Sequence, residues 1–75
     1  MSSVRKIRLR NRINLELVAR KIPEKAVRMT SGLDQGHFNR IKNGRVMPTL
    51  ATAIRIARAM ELSVEELFWL EEGER

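Results

Sequence analysis

The sequence contains no cysteine, which excludes disulfides and any thiolate metal site. Its single histidine, His37, is too little for a histidine-cluster centre. Long apolar runs are also missing. The longest stretch without a charged residue, Val46 to Ile54, has nine residues, far short of the roughly twenty that span a bilayer. Arg5, Lys6 and Arg8 are followed by no apolar segment, so no secretory signal is expected, and the chain reads as cytoplasmic with no membrane partner. No glycine-rich phosphate loop and no nucleophile–base pair can be found, and so small a chain has little room for a closed pocket. Neither an enzyme nor a cofactor or metal is expected.

Acidic residues are scarce over most of the length. Residues 1–60 hold fourteen basic side chains against three acidic ones, Glu16, Glu24 and Asp34, whereas residues 61–75 hold one against six. The net charge is +6. A basic body with an acidic tail predicts a polyanionic partner contacted before about residue 60. With 75 residues, 43% hydrophobic and 32% charged, the chain reads as one small globular domain over residues 1–75. A core of this size buries only roughly 60–65% of the unfolded surface, so stability is marginal.

Punctuation divides the chain into short helical units. Thr49 is placed to cap a helix from Leu50 to Met60, with Leu50, Ala53, Ile54 and Ala57 forming its apolar stripe and Arg55 and Arg58 pointing away. Ser63 and Glu66 make a capping box ahead of Leu67, Phe68 and Leu70, with Gly73 as the stop. A short helix from Glu24 to about Thr30 has Pro23 at its first position, and Gly32 breaks the chain after it. Asp34 can cap the next unit, and Asn43-Gly44 ends it. In that unit Phe38 and Ile41 share one face, with Gly36, Asn39, Arg40 and Asn43 opposite and Gln35 at the first turn. Near the N-terminus Ile13, Leu15 and Leu17 alternate like a strand, but Leu9, Ile13 and Leu17 also recur every fourth residue. No second strand is evident, and a lone strand leaves its backbone unsatisfied. The expectation is therefore a helix over about 6–20 and an all-α fold, a compact five-helix bundle.

Two short helices joined by a Gly-containing turn, the second with a polar outer face, form a helix-turn-helix. From about Glu24 to Leu70 the chain resembles the helix-turn-helix domains of phage repressor and Cro proteins, the Xre family. The resemblance rests on Gly32 to Gly44, on Pro48-Thr49-Leu50, and on the stretch from Ile56 to Phe68. It implies a lambda repressor-like domain, with a recognition helix at about 35–43 entering the major groove of double-stranded DNA. The implied function is sequence-specific regulation of transcription, by repression, as a homodimer on an inverted-repeat operator. Base-reading positions carried over are Gln35, Gly36 and Arg40, with Asn39 as a further candidate. Gln suits adenine and Arg suits guanine. Gly36 departs from the polar residue common at its position: it either lets the backbone approach DNA or makes no base contact. Lys42, Asn43 and Arg45 are placed to reach phosphate, and His37 either does so or packs partly into the core. Arg5, Lys6 and Arg8, with Arg10 and Arg12, form either an arm along the DNA, flexible over about 1–5, or a solvated first helix. Residues 72–75 are expected as an acidic tail. Trp69 adjoins Phe68, so one of the pair faces outward, either as an exposed aromatic or as a dimer contact.

Two departures from the family pattern carry their own expectations. Pro23-Glu24 stands where the family often places a phosphate-binding Gln, so Glu24 is given no DNA contact. If the turn between the two helices holds one extra residue, Ala26-Val27 is the apolar pair of the first and Glu16 lies opposite Lys42 as a charge-swapped bridge; without that residue the pair is Val27-Arg28, which buries a charge. The rival functions are an antitoxin or adaptor that binds a small protein partner through its acidic tail, and a nonspecific nucleoid or RNA-binding protein.

Overall fold

Five cations between residues 5 and 12 would load the positive end of a helix, and Glu71, Glu72 and Glu74 would load the negative end of another. Extended and antiparallel, the same two segments place opposite charges across from one another. In the computed structural model, which describes the backbone of residues 5–74 and the side chains of residues 7–72, this is the arrangement found. Strand β1 (Arg5–Asn11) pairs antiparallel with strand β2 (Phe68–Glu74), with Arg5 opposite Glu74, Arg8 opposite Glu71 and Leu9 opposite Leu70. Arg10 Nη1 donates to Glu71 Oε1 at 2.6 Å along the diagonal. That pair is half exposed and contributes at most about 1 kcal/mol. The Arg12 guanidinium lies 4.9 Å from the centroid of the Trp69 ring, a cation–π contact.

Five helices lie between the strands: α1 (Ile13–Arg20), α2 (Glu24–Ser31), α3 (Gln35–Lys42), α4 (Leu50–Ala59) and α5 (Val64–Leu67). The fold is mixed, helices plus a two-stranded antiparallel sheet, and the all-α expectation is corrected. The helix expected over about 6–20 begins only at Ile13. The strand that precedes it does have a partner, in the segment expected to continue the last helix toward Gly73. That helix closes after a single turn, and Phe68 turns extended at φ −122, ψ 144. The expected tail at 72–75 is part of β2 as far as Glu74, and Arg5 belongs to β1. Residues 1–4 of the expected arm, and Arg75, lie outside the described residues.

Local signals set the helix boundaries. Asp34 Oδ1 accepts from the His37 N–H at 2.7 Å, and Thr49 Oγ1 accepts from the Thr52 N–H at 3.1 Å. Ser63 and Glu66 exchange both bonds of a capping box. Pro23, expected as the first helical residue, stands one position earlier with extended ψ. The core joins Ile13 and Leu17 of α1, Val27 of α2, Phe38 and Ile41 of α3, Ala53, Ile56, Ala57 and Met60 in and after α4, and Leu67 and Phe68. The buried stripe of α4 is rotated from the expected one. Leu50 is 71% exposed and Ile54 also reaches solvent, while Thr52 and Ile56 turn inward. Of the Phe68–Trp69 pair, Trp69 faces outward.

The capping box makes one segment sensitive to acid. The Ser63 backbone N–H, its hydroxyl and the charge of Arg20 hold the Glu66 carboxyl below its usual range. A depressed folded-state pKa stabilises the protein above the ordinary glutamate range, and that stabilisation disappears as pH falls through the folded value. Glu66→Gln should flatten this part of the acid profile. Urea midpoints at neutral pH and at about pH 3 should therefore differ less in the variant than in the parent protein.

Candidate nucleic-acid interface

A recognition helix needs a fixed angle to its neighbour, one face seated in the core and the other left to solvent. Gly32 provides the turn: at φ 73, ψ 26 it ends α2 in the left-handed region, where a residue without Cβ is favoured. Leu33 packs partly against the core, and Asp34 then opens α3 with its cap. Phe38 and Ile41 are fully buried and seat the helix. Glu24 at the start of α2 accepts from Lys42 Nζ at the end of α3, at 2.9 Å, which ties the two helices together across the motif. The expected Glu16–Lys42 bridge is not formed. Glu16 accepts instead from Arg20 one turn along its own helix, at 2.8 Å.

The positions expected to read bases share the solvent side of α3. Gln35, Gly36 and Arg40 are exposed and Asn39 is half-buried. The Arg40 guanidinium folds back over Gly36: a Cβ added there would lie 3.5 Å from Arg40 Nη1, an ordinary contact. Space therefore does not require glycine at 36. Gly36→Ala should stabilise the protein by about 1 kcal/mol through helix propensity, raising Tm by roughly 4–8 °C for a domain of this size. A melt that fails to rise would show that helix propensity does not govern this position. DNA affinity of the same variant tests whether close approach at this position matters.

Of the positions expected to touch phosphate, His37 is half-buried at the edge of the seated face, and Asn43 and Arg45 are exposed beyond the end of α3. Lys42 is engaged by Glu24, with its side chain only 16% accessible. Arg8 is exposed on β1. The side chains of Arg5 and Lys6 lie outside those described. Sequence reasoning missed Asn11. Its Oδ1 accepts from the Ile13 N–H at 2.9 Å and its Nδ2 donates to the Ile41 carbonyl at 3.2 Å, so one side chain starts α1 and fastens β1 to the end of α3. Asn two residues before an apolar helical run was the available signal.

Among the described residues no cluster of three or more His, Cys, Asp or Glu is placed to hold a metal ion, and no helix is long and apolar enough to cross a membrane. A scan against protein-family models finds no match, and searches of the curated proteins and of the solved structures find none either.

Proposed function

We propose that this chain is a sequence-specific double-stranded DNA-binding protein that regulates transcription. In this reading α3 enters the major groove, and the protein binds as a homodimer to an inverted repeat, acting as a repressor. The observation that carries the reading is α3 itself. It is seated by Phe38 and Ile41, clamped to α2 through Glu24 and Lys42, and it turns Gln35, Asn39 and Arg40 to solvent or its edge. This stands in a chain with only three acidic residues before position 61. Amide and guanidinium groups on an accessible helix face suit the donor and acceptor pattern of adenine and guanine edges. The antitoxin or adaptor reading draws on a free acidic tail, and it has less support, because Glu71 is already engaged by Arg10.

Selection of bound duplexes from a random library at about 150 mM salt, near physiological ionic strength, tests the proposal. An enriched inverted repeat is the expected result. Binding without enrichment would replace it with a nonspecific nucleic-acid binder. On the selected site, Arg40→Ala should lose about 1–3 kcal/mol of preference at one base pair in each half-site. Equal loss on every sequence would move the reading face elsewhere.

A further inference from the structure

The terminal sheet and the segment that follows α3 enclose a cleft of about 480 Å³. β1 contributes Arg8 and Arg10 to one wall, and the end of α3 with the segment after it contributes Lys42, Asn43 and Arg45 to the other. No acidic residue lines the cleft, although the chain has nine. Its four cations differ in availability. Arg10 is held by Glu71 and Lys42 by Glu24, whereas Arg8 and Arg45 are exposed and their side chains form no ion pair or hydrogen bond among the described residues.

The last carbonyls of a helix normally repel an anion, but here three of them accept hydrogen bonds. The Asn39 oxygen accepts from the Asn43 N–H, the Arg40 oxygen from the Arg45 and Val46 N–H groups, and the Ile41 oxygen from the Gly44 N–H and from Asn11 Nδ2. Two exposed guanidinium groups, Arg8 and Arg45, on the rim of an open trough whose lining holds no carboxylate make a site for phosphate oxyanions.

We infer that this cleft holds backbone phosphates of the DNA whose groove α3 enters. β1 is then a second wall of the nucleic-acid surface and not only a support for the fold. The inference rests on the function proposed above. A DNA strand is favoured over a small phosphorylated ligand because the cleft is broadly open to solvent and is lined by Lys42, the last residue of α3.

The test compares the wild-type chain with Arg8→Ala/Arg45→Ala on the selected duplex and on a random 20-bp duplex (about two helical turns) over a salt series. Each phosphate contact adds about 0.9 to the slope of log affinity against log salt. The double variant should therefore lose about 1.8 of slope per protomer and weaken both duplexes by the same factor. Thermal melts establish that the variant folds, and Arg8→Gln/Arg45→Gln replaces it if it does not. An unchanged slope overturns the inference while leaving DNA binding intact. So does an equal loss from Arg55→Ala/Arg58→Ala on α4, since both residues lie outside the cleft and would then report total charge only. If the wild type binds no DNA, the proposed function fails, and inorganic pyrophosphate becomes the probe. Saturable shifts of the Arg8 and Arg45 side-chain NMR signals, absent from the double variant, would retain the phosphate site with a free ligand as its occupant. No shifts would remove it altogether.

Discussion

Phe38→Ala should cost about 3–5 kcal/mol, the range for emptying a fully buried aromatic site. A chain of this length has roughly 4–11 kcal/mol of total stability at typical values per residue, so the variant should lose a large share of it and unfold at a much lower denaturant concentration. The effect is large because Phe38 has no solvent exposure and belongs to the core that joins α1, α2, α3 and α4. The cavity would open directly beneath the face proposed to read DNA, so binding should weaken along with the fold. Chemical denaturation followed by circular dichroism measures the loss. Gln35→Ala, exposed on the same helix, should stay within about 0.5 kcal/mol of the wild type. A loss below about 1 kcal/mol for Phe38→Ala would mean that α3 is not seated as described.

The second large effect is on salt dependence. If the chain binds duplex DNA as a dimer with six to ten phosphate contacts, affinity should fall by roughly 10³–10⁵ between 50 and 200 mM salt. The cations able to supply such contacts are exposed ones, Arg8, Arg40 and Arg45 among them. Lys42 should contribute less than its position suggests, because Glu24 already satisfies it. Fluorescence anisotropy of a labelled duplex over the salt series provides the measurement. An affinity independent of salt would count against any polyanionic partner.

Features that depend on neighbouring residues were legible in the sequence, and those that depend on distant ones were not. The caps at Asp34, Thr49 and Ser63, and the stops at Gly32 and Asn43-Gly44, are decided within four residues, and each appears where its side-chain chemistry predicts. The inward face of α3 follows in the same way from Phe38 and Ile41. The sheet was missed because its strands lie at opposite ends of the chain and neither is persuasive alone. The complementary charges of Arg5, Arg8 and Arg10 against Glu71, Glu72 and Glu74 were visible, but were read as a body and a tail and not as two sides of one ribbon. The α4 stripe went wrong for a related reason. Leu50 and Ile54 have the correct spacing, yet the neighbouring elements pack against the face one residue over, through Thr52, Ala53, Ile56 and Ala57. Glu24 looked anomalous as a DNA contact and makes sense only with Lys42, eighteen positions away.

The pairing of β1 with β2 also bears on the order in which the molecule forms. Its innermost partners, Asn11 and Phe68, are separated by all five helices, so the ribbon closes a loop containing nearly every other native contact. Loop entropy rises by about 0.6 kcal/mol for each doubling of length, and a two-stranded ribbon alone is barely stable in water. The strands therefore join after the helices have packed and brought Arg12 within reach of the Leu67 carbonyl, where the two meet at 3.0 Å. Substitutions at Leu9 or Leu70 should then belong to the late side of the barrier, speeding unfolding and leaving the refolding rate nearly unchanged. The ribbon should then open first when the native state fluctuates, and its amides should exchange with solvent ahead of those in α4, which native-state hydrogen exchange measures.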